Sequence, residues 1–343
     1  IGGTGGLIGS LFSMGVSFAT SFRMNHPNML FFLPVSGILI VWLYHTFHEE
    51  GNRGTNMVID AISSTEKVTL ATGPLIFVST VLTHIAGSSG REGAALQLGG
   101  SLGNLFGNAI HLDEKDKKIA IMCGMSAVFS ALFGTPVAAA IFPLEVISIG
   151  VLYYAALVPC IFSSFIGVGI ARYLGIAGEH FTVLSIPAIS VSSVGWIIFL
   201  SALCAGVSIV FCLMLHGAEH TYRKIFPNPY VRILAASAIF ILLTLLIGTR
   251  DYCGSSMPLI ERSMEGEIGY EAFFLKMLFT AIALGAGFKG SYFMCRCSFW
   301  LCFWTDHRFC PFFMCCLLYG CLICGSDQLP DFFSGDRFGA VWL

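Results

Sequence analysis

GSSGREGAALQLGGSLGNLFG, residues 87–107, is the stretch that decides how this chain is read. Gly90 and Gly93 bracket an Arg91-Glu92 pair, and the stretch lies between long apolar runs. An ionisable residue at that depth is costly unless it is used. A glycine-rich start to a helix leaves free N–H groups and a partial positive charge, which attract anions. Glu92 stands where its own carboxylate can occupy such a site and a mobile anion can displace it. That makes it both a tethered competitor for the anion and a carrier of a proton. The plainer reading is an Arg91–Glu92 pair in a loop turn.

The rest of the chain favours the functional reading. Of 343 residues, 56% are hydrophobic and only 11% charged, and the mean hydropathy is +0.81. Soluble domains carry about 25% charged residues, so the composition argues against a water-soluble enzyme. With 18 Lys and Arg against 20 Asp and Glu the net charge is −2, and there is no basic field for nucleic acid. The composition implies an all-α polytopic membrane protein in a lipid bilayer. The 38 glycines let helices pack closely or break within it. Ile1 opens directly into an apolar run without an initiator Met, so the chain is expected to lack its true start.

Spanning helices are expected over residues 7–22, 29–47, 68–86, 151–171, 194–215 and 231–247. Other apolar stretches are short or interrupted. Residues 93–110 are cut by Gly99, Gly100, Gly103 and Gly107, and 118–133 is split from 136–149 at Gly134. Residues 55–63 give barely two turns, and 272–284 ends in a glycine run. Broken and re-entrant helices read this way. TVLTHIAGSSGREG (80–93) is similar to TAIALGAGFKG (280–290), and upstream GNRGTNMVIDAI (51–62) is similar to GTRDYCGSSMPLI (248–260). Two related halves with broken helices at matching positions point to a transport site where the repeats meet. His84, eight residues before Glu92, reads as a packed core histidine rather than a proton relay. Lys276 is expected to snorkel to an interface.

These residues resemble the CLC chloride channels and proton/halide antiporters. The family signature runs GREGP followed by V-Q-x-G-G; this chain has GREGAALQLGG, matching at Gln97, Gly99 and Gly100, with Ala94 in place of the proline. GTPVAAAIFPLE (134–145) is similar to the family's helix ending in an inner glutamate, and LFTAIALGAGFKG (278–290) to the start of its second-half anion motif. The resemblance covers about residues 1–290. It implies the CLC-type inverted-repeat helical fold and a homodimer with one anion pathway per subunit, where helix N-termini point at a midplane anion. Residues 1–173 would be the first repeat half and 182–290 the start of the second. No cofactor, metal or enzymatic activity is implied: no HExxH accompanies Glu92 or Glu145.

Departures narrow the expectation. Chloride members carry a G-S-G-I-P stretch whose serine contacts the anion; here GNRGTNM stands in its place, with Asn52 or Arg53 near the serine position. Gly54-Thr55-Asn56-Met57-Val58 looks like the G-N-N-L-I type of the fluoride-exporting branch, although these residues are also ordinary turn formers. The anion-binding set implied is Arg53, Gly54, Thr55 and Asn56 together with Gly90, Arg91 and Gly93, with Glu92 as gate and proton carrier. Glu145 matches the first glutamate of the inner helix, and Val146 replaces the second, the proton acid of chloride antiporters. Glu145 is thus an inner acid, structural or on a proton path. The expected function is halide transport, fluoride/proton antiport first, in a bacterial plasma membrane; a chloride channel, or an inactive fragment of either, is the alternative.

After residue 290 the pattern fails. Eight of the 13 cysteines crowd between Cys295 and Cys324, without paired CxxC spacing. Residues 325–333 (GSDQLPDFF) admit codons that, read one base later, spell G-V-T-N-C-P-T-S, and G-V-T-N-C-P resembles a late-helix motif of the family. Residues 291–343 are therefore expected to be a frame-shifted tail, which would remove the family's C-terminal pore tyrosine.

Overall fold

The computed structural model describes residues 1–49, 69, 71–146, 153–176, 178, 191–255, 259, 262 and 271–291. Among these, the regular structure is helical apart from two isolated bridges. The helices are α1 (Gly2–Asn25), α2 (Leu33–Thr46), α3 (Thr72–Ala86), α4 (Glu92–Ala109), α5 (Glu114–Phe133), α6 (Pro136–Val146), α7 (Leu157–Tyr173), α8 (Val191–Ile225), α9 (Pro229–Ile247) and α10 (Glu271–Ala286). A 3-10 turn, Pro27–Phe32, leads into α2.

Four segments of the described residues are long and apolar enough to cross a bilayer: Gly2–Asn25, Pro27–Thr46, Tyr154–Tyr173 and Pro229–Ile247. Their outward faces carry Phe18, Phe162 and Leu246, all two-thirds exposed or more. Such side chains suit lipid as the surrounding solvent. The expected span over 68–86 is shorter, since α3 has 15 residues. The expected span over 194–215 lies inside α8, which at 35 residues is about 52 Å long at 1.5 Å per residue.

Local chemistry sets the helix ends. The Asp113 carboxylate accepts the Asp116 N–H at 2.8 Å and caps α5, with Glu114 and Asp116 placed favourably in its first turn. At its other end Gly134 takes φ +73°, and its N–H returns to Ser130 O. A side chain is strained in that conformation, so the split expected at Gly134 is a left-handed helix stop. The glycines of residues 93–110 behave differently from the sequence expectation. They do not interrupt anything: α4 runs unbroken for 18 residues. Its glycines form a contact face instead. A Cβ on Gly99 would stand 2.7 Å from Met125 Cα and run into the Gly124 carbonyl, and one on Gly103 would strike the Ala120 carbonyl. Without side chains there, α4 and α5 approach backbone to backbone.

Helices α1, α3, α4 and α5 share a core of Phe12, Val16, Ile76, Ala94, Ala95, Leu98, Val128 and Leu132. A second core brings α2, α9 and α10 together around Leu33, Ile40, Ile233, Phe240, Phe279 and Ala283. The link between α3 and α4 meets the end segments of α9 and α10, so residues 87–91 lie where these two bodies join.

Candidate functional site

The site is built from three irregular segments that share backbone hydrogen bonds. Helix α3 ends at Gly87, whose extended backbone (φ −83°, ψ −167°) stops the helical ladder. Gly87 O accepts the Gly254 N–H at 2.5 Å, and the Ser89 N–H donates to Gly254 O at 3.3 Å. Gly90 O accepts the Ser291 N–H at 2.9 Å, and the Gly90 N–H donates back to Ser291 O. Parts of the segments 80–93, 248–260 and 280–290 therefore come into contact, while residues 51–62, read as similar to 248–260, lie outside the described residues. Burying irregular backbone at this depth requires such pairing.

Glu92 opens α4 and is 3% exposed. Its carboxylate thus lies at the positive end of an 18-residue helix. The N–H groups of Arg91 and Glu92 and the Ser291 hydroxyl lie near it, yet neither carboxylate oxygen makes a hydrogen bond of good geometry among the described residues. The carboxylate folds back over Gly90, where an added Cβ would collide with Oε2 and lie 3.0 Å from Ser291 O. Gly90 is thereby the floor of the carboxylate's seat. Arg91 occupies the N-cap position of α4 without a side-chain capping bond and is buried with its guanidinium 5.5 Å above the Phe133 ring. Gly93, in the first turn of α4, is buried beside it.

His84 is buried on α3. Its Nδ1 donates to Thr80 O at 2.8 Å, because a carbonyl can only accept. Nε2 is then the bare acceptor, with no partner among the described residues. Bonded to its own helix, His84 fits the packed-core reading.

Lys276 departs most from expectation. It does not snorkel: the side chain is fully buried. Its ammonium donates to Ser88 Oγ at 2.9 Å, Tyr252 O at 3.0 Å and Gly254 O at 2.6 Å. Ser88 Oγ also shares a hydrogen bond with Thr280 Oγ1 at 3.0 Å. The sequence signal was a lone lysine inside FFLKMLFTAIAL (273–284) with apolar residues on both sides. The Arg23 guanidinium at the end of α1 packs directly on Gly254.

Glu145 stands half-buried in the last turn of α6, and among the described residues no hydrogen bond or ion pair joins it to Glu92. Val146 closes that helix. Arg53, Gly54, Thr55 and Asn56, and all of the tail beyond residue 291, lie outside the described residues. The structure thus gathers Gly90, Arg91, Glu92 and Gly93 in one place and leaves Glu145 apart from them.

Comparison with known proteins fits this geometry. A family model described as voltage gated chloride channel matches residues 36–295. The chloride/fluoride channel protein of Pseudomonas syringae pv. tomato is 29% identical over 293 residues, which is 83% of this chain. The chain spans 65% of that relative's length. A CLC-type fluoride/proton antiporter of known crystal structure superposes with a TM-score of 0.82 at 29% identity, covering 87% of this chain and 77% of that one. A slow cyanobacterial Cl−/H+ antiporter gives a TM-score of 0.74 over 96% of this chain and 92% of its own. At 16% identity that likeness speaks for the fold alone. The polytopic helical architecture is the CLC-type fold.

Proposed function

The chain belongs to the voltage gated chloride channel family, and from that premise we propose that it carries halide across a bacterial plasma membrane as a fluoride/proton antiporter gated by Glu92. One observation carries this reading: a buried carboxylate folded over Gly90 at the positive start of α4, surrounded by backbone and hydroxyl donors it does not fully engage. Those donors suit a small anion as well as they suit the carboxylate. When an anion takes them, the carboxylate is expelled and picks up a proton; when the proton leaves, the carboxylate returns. Only the ionised carboxylate competes for the donors, so acidification on the side that Glu92 faces favours anion binding. The names of the two relatives at 29% identity support fluoride as cargo, and the Asn56 run supports it from sequence. Two such chains would pair as a homodimer with one pathway each. A chloride channel is the second reading, which Val146 suits because channels lack the second inner acid.

The test is flux from liposomes holding the purified chain, with fluoride and chloride followed separately and proton movement recorded. The expected result is fluoride efflux driving protons the opposite way, and loss of that coupling, or an open leak, in Glu92→Ala. A proton-independent chloride leak through the wild-type chain sinks antiport. Unchanged coupled transport in Glu92→Ala removes Glu92 from the mechanism.

A further inference from the structure

We propose that Lys276 is a positioning residue for the Glu92 gate: its buried ammonium locks the strip of backbone on which the carboxylate rests. The inference rests on the gating role given to Glu92 above. A bare ammonium inside the protein is costly unless all its donors are satisfied. Lys276 has three N–H donors and three acceptors around it, one on the link before α4 and two on the segment after α9. The bonds are arranged in series. Gly254 O accepts both the Lys276 ammonium and the Ser89 N–H. Ser88 Oγ accepts the ammonium and is tied to Thr280, one turn along α10 from the lysine. Both residues thus held, Ser88 and Ser89, immediately precede Gly90, over which Glu92 folds. Helix α10 in this way sets the height of the gate's floor relative to α4, although Lys276 has no hydrogen bond to Glu92 among the described residues.

A neutral side chain of similar length, as in Lys276→Met, takes the ammonium away from Tyr252 O, Gly254 O and Ser88 Oγ, leaves the link with its weaker bonds to Gly254 and Thr280, and lets residues 88–90 shift. The gate would then lose its seat while the anion path stays open. The expected phenotype is therefore that of Glu92→Ala, reached from a residue distant in sequence.

The test is a double-mutant cycle on the full chain in liposomes, using fluoride, chloride and proton fluxes for wild type, Lys276→Met, Glu92→Ala and the double variant. Lys115→Met, which removes an exposed lysine on α5, is the control. Expected is a fall of at least about fivefold in protons moved per anion for Lys276→Met, the lower end of ordinary coupling effects. The double variant should match Glu92→Ala alone, since the two substitutions act on one gate. A wild-type ratio in Lys276→Met overturns the proposal, and so does a further loss in the double variant, which marks a general structural role. If Lys276→Met does not fold, Ser88→Ala is read by the same cycle: a shift that vanishes on the Glu92→Ala background supports the lysine's role, and an unchanged ratio overturns it. If the wild-type chain moves chloride without protons, antiport fails by itself. Lys276 is then judged by anion rate in the same cycle, where a rate unlike that of Glu92→Ala rejects it.

Discussion

Gly90→Ala is the smallest change that tests the gating proposed for Glu92. Gly90 is not among the glycines with positive φ, so alanine introduces no backbone strain there. What it introduces is a methyl group in the place of the Glu92 carboxylate, with Ser291 O only 3.0 Å away on another side. Ordinary contact between such atoms needs about 3.5 Å. The Ser291 carbonyl is fixed by its paired bonds to Gly90, so the flexible carboxylate is the group that moves. Overfilling a packed site costs about 1–3 kcal/mol. Placed on the seated state alone, that penalty lowers its population relative to the unseated one by about 5- to 150-fold. The assay is paired fluoride and proton flux from liposomes, with thermal stability of the purified variant followed alongside. Expected is a protein that melts near the wild type, passes anion at an equal or higher rate, and moves at least about fivefold fewer protons per anion. Wild-type rate and wild-type proton ratio in Gly90→Ala would refute the argument, because the methyl and the seated carboxylate cannot share that space.

Two further outcomes follow from other parts of the chain. Gly99→Leu forces a side chain into the backbone contact between α4 and α5, so the variant should lose about 1–3 kcal/mol of stability, read as a lowered unfolding midpoint in detergent; an unchanged midpoint would show that the two helices can separate without cost. Sequencing the gene across codons 280–343 and beyond should reveal a one-base offset near codon 290, the family match itself ending at residue 295; an intact frame would make the cysteine-rich tail genuine and rule out the slip.

Much of this architecture was legible along the chain. The runs around 7–22, 29–47, 151–171 and 231–247 appear as long apolar helices, because a span needs only sustained hydropathy over one segment. The stop at Gly134 was equally local, since a left-handed residue is a property of one position. GREG pointed to Glu92 because a carboxylate flanked by glycines in an apolar context is rare enough to stand out. The glycines after it were harder. Gly99 and Gly103 read as breaks, and they are instead the surface that α5 lies against, a distinction that depends on the partner helix.

A helical membrane protein, its main spans and the buried acid Glu92 were therefore readable from the sequence, because hydropathy, helix stops and a charged motif act over a few neighbouring residues. That Gly90 lies under the carboxylate, that Gly254 and Ser291 are bonded to the link before α4, and that Lys276 is buried with its ammonium on Ser88, Tyr252 and Gly254 came from the tertiary structure. Those bonds join residues up to 201 positions apart, as between Gly90 and Ser291, and their existence depends on packing that brings the two bodies of helices together.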